Sequence, residues 1–148
     1  MRCDEIMKKD VECVSPGDTV QRAAARMRDR RIGFLPVCDD DQKVLGTLTD
    51  RDIALRVVAI GRPVNTPVEE VMTTDCIACR PSDELGAAGT LMGQYQKSRL
   101  MCTDEQGRLV GVISLSDLAQ HDSTRSASET LRQVTGREAR AMQAEPGI

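Results

Sequence analysis

Two short motifs each place a hydroxyl and a carboxylate three residues apart, directly after an apolar run. Thr49 precedes Asp52, and Ser114 precedes Asp117. At the start of a helix, unpaired backbone N–H groups favour a phosphate, and a hydroxyl can donate to that same phosphate. A carboxylate does not suit phosphate, but it can accept hydrogen bonds from both vicinal hydroxyls of a ribose. The two motifs therefore suit a nucleotide better than a bare anion.

The same spacing has a purely structural interpretation. Thr-x-x-Asp and Ser-x-x-Asp are also typical of a capping box, in which the two side chains only close the first turn of a helix. The duplication of the motif does not decide between the two interpretations, because repeated units share caps as readily as sites. On spacing alone, both remain open.

Both motifs lie within an internal repeat. Shifted by 65 positions, residues 6–55 align with residues 71–120 without a gap. The shift pairs Gly46 with Gly111 and Asp52 with Asp117. Because so short a unit rarely buries enough apolar surface to be stable alone, we expect the two copies to share a core.

Each copy has the pattern strand, helix, strand, strand, helix, which predicts an α/β (α+β) fold. The first strands are expected at Val11–Val14 and Cys76–Cys79. Each should run parallel to the next strand, since a helix joins the two. Asp18 is the expected N-cap of the first helix. The predicted organisation is a first copy (1–61), a linker with a short helix (62–70), a second copy (71–121) and a polar tail with a thin helical pattern (122–148).

Composition excludes several classes of function. Phe34 and Tyr95 are the only large aromatic residues, and the net charge is -3, so neither base stacking nor a basic surface favours a nucleic-acid partner. No apolar run approaches the ~20 residues that span a bilayer. The first residues lack the apolar core of a secretory signal. A cytoplasmic protein without membrane contact is therefore expected.

The two copies resemble the paired repeats of CBS domains, also called a Bateman module. The resemblance covers residues 6–55 and 71–120, and the run 49–54 is similar to small free-standing bacterial members. Four segments carry it: Val14–Thr19, Ile32–Val37, Gly46–Asp52 and Gly111–Asp117. It implies two β-α-β-β-α repeats packed about a pseudo-twofold axis, with two clefts between them. In the family these clefts hold adenine-containing ligands such as AMP, ADP, ATP, NAD or S-adenosylmethionine.

Carried onto this chain, the resemblance implies roles for single residues. Thr49 and Ser114 would meet phosphate, and Asp52 and Asp117 would hold ribose. The base would lie near Val14, Pro36 and Met101, with Arg51 and Arg99 as phosphate partners. The second copy reads Leu115-Ser116 where the first reads Asp50-Arg51, so the two clefts are expected to differ in affinity. The implied protein is a non-catalytic sensor that forms a homodimer and signals through self-association or a protein partner that the sequence does not identify.

The cysteines allow an alternative. Cys13 and Cys38 lie on strands expected to be parallel neighbours, where they could form a redox pair or, equally, pack as core thiols. Such a pair would suit a redox-responsive or metal-responsive stress protein. Cys76 and Cys79 are expected to be core residues, not a zinc knuckle, because a strand points their side chains to opposite faces. One histidine and no nucleophile–base set make an enzyme unexpected, and no catalytic cofactor is implied.

Overall fold

The computed structural model describes residues 1–121 and 124–143 of the 148-residue chain. Strands and helices alternate in the mixed α+β arrangement that the sequence predicts. The helices are α1 (Cys3–Ile6), α2 (Val20–Arg30), α3 (Asp50–Ile53), α4 (Leu85–Tyr95), α5 (Leu115–His121) and α6 (Thr124–Gln143). The strands are β1 (Phe34–Cys38), β2 (Val44–Thr49), β3 (Ala78–Cys79), β4 (Arg99–Thr103) and β5 (Leu109–Ser114). A π-helical turn (Ala54–Val58) continues α3, and a 3-10 turn spans Val68–Glu70.

The first strand of each copy is parallel to the strand after its helix, as predicted, but it differs in length between the copies. β3 pairs with β4 over two residues, whereas the first copy has only one parallel bridge, from Val14 to Val37. The predictions of strands over Val11–Val14 and Cys76–Cys79 are therefore both wrong in extent. Extending the ladder toward Glu12 would require an N–H from Pro36, and proline has none. Met101 occupies the equivalent place in the second copy and keeps its N–H.

The chain forms two compact units that do not coincide with the sequence repeats. The first-copy unit consists of residues 11–76 and 105–109, and the second-copy unit consists of residues 1–10, 77–104 and 110 onward. Residues 1–10, which precede the first strand of the first copy, thus pack with the second copy. Residues 62–76, which precede β3, pack with the first copy. We call these two stretches the leading segments. Equivalent backbone bonds secure the two segments: Lys8 N donates to Val112 O and Thr73 N donates to Thr47 O, each over 2.9 Å.

Gly46 and Gly111 lie where these leading segments cross the strands. A Cβ atom added to Gly46 would lie 2.7 Å from the carbonyl oxygen of Thr73 and 2.9 Å from Met72 Sδ. At Gly111 it would lie 2.7 Å from Met7 Cγ. Glycine at position 46 therefore reflects close approach of a backbone carbonyl, whereas the space at Gly111 is filled by the side chain of Met7.

Each unit has its own apolar core, so the prediction of one core shared by both copies is wrong. The largest fully buried side chains of the first-copy unit are Val14, Val20, Leu35, Val37, Leu48, Val57, Val68 and Val71. Those of the second-copy unit are Met92, Leu100, Ile113 and Leu118. The N-cap of α2 is Thr19, whose Oγ1 accepts from Arg22 N, and not Asp18 as predicted. Asp18 instead accepts from Ser15 N, because the turn at Pro16 brings that N–H to its carboxylate.

The helix α6 packs onto α4 and completes the second core. Val134 is buried in that core, and Thr130 is buried as well. A Cβ added to Gly89 would lie 3.3 Å from Thr130 Oγ1, and one added to Gly93 would lie 3.2 Å from Gln133 Cβ. The glycines of α4 cost helix propensity but let α6 approach closely. None of the helices in the described part of the chain is both long and apolar enough to cross a membrane.

Candidate functional site

The first motif lies at the junction of β2 and α3. Thr49 is the last residue of β2 and the N-cap of α3, because its extended backbone (φ -115°, ψ 162°) ends the strand where the helix begins. Its Oγ1 accepts from Asp52 N over 3.1 Å, and its N–H donates to Asp52 Oδ2 over 3.0 Å. The capping box that the spacing allows is therefore present.

The capping box leaves polar groups of both side chains available. The Thr49 hydroxyl accepts in the box, so its own hydrogen can still donate to a ligand. Asp52 uses Oδ2 in the box, while Oδ1 accepts from Thr73 Oγ1 over 3.5 Å and lies 4.0 Å from Arg56 Nε. The Asp52 side chain is 14% exposed, so solvent reaches it only in part. Capping and ligand binding are thus compatible at this site.

The second motif repeats this geometry at the junction of β5 and α5. Ser114 N donates to Asp117 Oδ2 over 2.8 Å, and Asp117 N donates to Ser114 Oγ over 3.2 Å. Ser114 Oγ also lies 2.8 Å from Ser116 Oγ, a contact that the first motif lacks because Arg51 occupies the equivalent position. Either hydroxyl can donate in this contact, so Ser116 is a second hydrogen-bond partner of the Ser114 hydroxyl.

Residues outside the motifs also distinguish the two sites. Thr73, which contacts Asp52, is replaced by Lys8 under the 65-residue shift, and Arg56 is replaced by His121. Lys8 bridges Val112 on β5 just as Thr73 bridges Thr47 on β2. The backbone position that carries a threonine beside the first motif therefore carries a lysine in the second-copy unit.

The other predicted ligand residues fall into two groups. Arg51 and Arg99 are exposed at the surface, and Arg51 N donates to Asp50 Oδ1. Val14, Pro36 and Met101 are buried. Val14 N donates to Pro36 O over 2.9 Å, so the backbone groups on this edge are used by the parallel bridge. The Val14 side chain is only 2% exposed and packs in the core of the first-copy unit.

Thr73 and Arg56, which contact Asp52, and Lys8, the counterpart of Thr73, were not predicted from the sequence as site residues. Arg56 Nη1 donates to Val71 O and Met72 O over 3.0 and 3.2 Å, which ties the leading segment to the end of α3. The alignment of the two copies could have indicated them, since Lys8 and Thr73 stand at equivalent places ahead of the first strand of each copy. Their exchange between units could not be seen from local patterns.

Cys79 is buried as predicted, whereas Cys76 is only half-buried and its thiol donates to Thr73 O over 3.6 Å. Cys38 Sγ donates to Cys13 Sγ over 3.3 Å in the first-copy unit, and Cys79 Sγ lies 2.9 Å from Cys102 Sγ in the second-copy unit. All six cysteines are free thiols. In the described part of the chain, no group of three or more histidine, cysteine or acidic residues could hold a metal ion.

Two repeats of strand and helix, each with a hydroxyl–carboxylate pair at a strand–helix junction, define a tandem module. The CBS domain model matches residues 3–59 and 68–123, and the chain belongs to the CBS domain family. It is similar to the CBS domain-containing protein YhcV of Bacillus subtilis, at 44% identity over 133 residues that cover 88% of this chain and 93% of the relative.

Solved structures have the same fold. The structure of Hypoxic Response Protein I with two coordinated zinc ions matches with a TM-score of 0.75 and 32% identity, covering 83% of this chain and 100% of that one. The CBS domain pair of protein MJ0100, solved with 5'-methylthioadenosine and S-adenosyl-L-methionine, matches with a TM-score of 0.73 and 22% identity, covering 81% and 94%. At that identity the second likeness shows the fold alone.

Proposed function

We propose that the protein is a non-catalytic, cytoplasmic sensor that binds an adenine nucleotide at its Thr49–Asp52 and Ser114–Asp117 motifs. The observation that carries the proposal is the repeated geometry of these two pairs. In each, one carboxylate oxygen and one hydroxyl lone pair serve the helix cap, while a hydroxyl hydrogen and the second carboxylate oxygen can meet a ligand. The hydroxyl would donate to phosphate and the carboxylate would accept from ribose.

The ligand class follows from the same groups. A carboxylate that accepts from vicinal hydroxyls suits a ribose, and we assign the base to the edge where Val14 pairs with β1, near Pro36. The ligands in the MJ0100 structure share an adenosine moiety. AMP combines that moiety with a phosphate, and it is the ligand of choice for a first test. Arg51 and Arg99 are proposed as additional phosphate contacts, and Met101 as the second-copy counterpart of Pro36.

Titration with AMP should resolve two unequal sites or a single site. Ser116 is a second hydrogen-bond partner of the Ser114 hydroxyl, and Lys8 and His121 replace Thr73 and Arg56. Isothermal calorimetry on the full chain measures the affinities, and guanosine monophosphate serves as the control for the base. Two identical sites would contradict the inferred asymmetry, and no binding of AMP, ADP, ATP, NAD or S-adenosylmethionine would contradict the proposed function.

We further propose that the module signals as a homodimer. A row of apolar residues after α3 is exposed: Leu55, Val58, Ile60 and Val64. Val58 is 73% exposed. Its burial in an interface would remove apolar surface from water, which favours association. Sedimentation should show a dimer that Val58→Asp shifts toward monomer. The control, Arg62→Asp, changes an exposed residue nearby that is not apolar, and equal effects of both changes would count against this surface.

The alternative of a redox-responsive or metal-responsive stress protein is not adopted as the function. The zinc ions belong to the Hypoxic Response Protein I structure, and the described residues here offer no group of three or more ligands.

A further inference from the structure

The thiols of Cys13 and Cys38 are held together by the backbone of the first-copy unit. They stand one residue to either side of the bridged pair, Val14 and Val37. Val14 N donates to Pro36 O, and Cys38 N donates to Val14 O, so both flanks of the bridge are hydrogen-bonded. The sulfur atoms lie 3.3 Å apart. The register of the bridge places Cys13 beside Pro36 and Cys38 beside Ser15, so the two cysteines lie diagonally across it. Their sulfur atoms must close from 3.3 Å to about 2.05 Å to form a disulfide.

The two thiols have different environments. Cys13 is partly exposed, whereas Cys38 is only 3% exposed. The hydrogen bond from Cys38 lowers the pKa of Cys13, and the nearby positive charge of Arg26 lowers it further, against an opposing effect of burial. Arg26 is anchored there, since its Nη1 donates to the carbonyl oxygen of Cys13 over 2.7 Å. The same hydrogen bond and burial raise the pKa of Cys38.

The second thiol pair provides an internal contrast. Cys79 and Cys102 are also in contact but are both buried, and Cys3 is buried beside them. The hydrogen bond with Cys102 and burial raise the pKa of Cys79, and burial raises the pKa of Cys3 to about 12. A thiol attacks an oxidant as its thiolate and must be reached by it. Proximity is shared by both pairs, but only Cys13 combines it with access and a favoured thiolate.

We propose that Cys13 and Cys38 form a hydroperoxide-reactive dithiol site, with Cys13 as the attacking thiol and Cys38 as the resolving thiol. The Cys13 thiolate attacks one peroxide oxygen, the O–O bond breaks, and hydroxide leaves with the formation of a sulfenic acid. The sulfur of Cys38 then attacks the sulfur of Cys13, the S–O bond breaks, and the Cys38 proton leaves in water. Two electrons pass from the two thiols to the peroxide, which ends as two water molecules.

This bond would join the segment that carries Val14 to β1, which carries Pro36. Both residues lie at the edge assigned to the base in the first site, so oxidation would lock that edge in one position. This coupling rests on the proposed function, while the disulfide itself does not. The two are separable because disulfide formation is measured without any nucleotide.

The test is peptide mapping of the full chain after treatment with hydrogen peroxide. Trypsin releases Cys13 in residues 10–22 and Cys38 in residues 32–43, whereas Cys102 lies in residues 100–108. The expected result is a 10–22/32–43 cross-link under non-reducing conditions, with two of the six thiols lost. A dominant cross-link that includes residues 100–108, or none within the chain, would overturn the proposal.

Single substitutions assign the two roles. In Cys38→Ser, the sulfenic acid on Cys13 cannot be resolved, so a dimedone adduct should accumulate on residues 10–22. In Cys13→Ser, residues 32–43 should remain unlabelled, and Cys13→Ala provides a second variant if the serine is poorly tolerated. Cys102→Ala should leave the 10–22/32–43 cross-link unchanged. If dimedone labelled Cys38 in the Cys13 variants as fast as it labels Cys13 in Cys38→Ser, the assigned order of attack would be refuted.

Discussion

Replacing Asp52 with alanine should weaken AMP binding about tenfold to a hundredfold, since a hydrogen bond to a charged group contributes roughly 1.5–3 kcal/mol. The change removes Oδ1, the carboxylate oxygen that the helix cap does not use. Calorimetry on the variant measures the loss at the first site. The Ser114–Asp117 site belongs to the other compact unit and should keep its affinity.

Because Asp52 also closes the capping box, loss of structure must be separated from loss of a ligand contact. Asp52→Asn keeps an oxygen that can accept from Thr49 N, so it should preserve the cap while it weakens binding through the lost charge. Asp41→Ala is the control, because Asp41 is an exposed acidic residue of the same unit that lies outside both motifs, in the turn between β1 and β2. An unchanged affinity in folded Asp52→Ala would remove the first site from the proposed function.

Gly46→Ala should destabilise the protein by about 1–3 kcal/mol, the usual cost of forcing extra atoms into a packed region. The new Cβ would lie 2.7 Å from the backbone carbonyl of Thr73, which cannot rotate away as a side chain can. The leading segment must therefore shift, and Thr73 would move relative to Asp52. Chemical denaturation measures the free energy of unfolding, and AMP affinity at the first site should fall as well.

Gly86→Ala is the matched control for this glycine substitution. Nothing lies within 4 Å of a Cβ at Gly86, and the residue is in the first turn of α4. Alanine there should stabilise the protein by about 0.5–1 kcal/mol, because it restricts the unfolded chain and favours the helix. If Gly46→Ala were as well tolerated as Gly86→Ala, the close crossing of Thr73 over β2 would be wrong.

The sequence by itself determined the local features of this protein. The capping pairs Thr49–Asp52 and Ser114–Asp117, the hairpin of β1 and β2, and the parallel direction of the first strands all follow from short spacings and connection lengths. Such features depend on neighbours within a few residues, so a repeated pattern predicts them twice. The sequence also allowed a contact between Cys13 and Cys38, because it placed them on segments expected to be parallel neighbours.

Only the tertiary structure decided which distant segments complete each unit. Residues 1–10 pack with the second copy, and the segment that ends at Cys76 packs with the first, which brings Lys8 to Val112 and Thr73 to Asp52. Likewise, the thin apolar stripe of α6 became a packed helix because the small residues of α4 let it approach. These outcomes depend on surface shape and backbone approach between segments far apart in sequence, which no local pattern encodes.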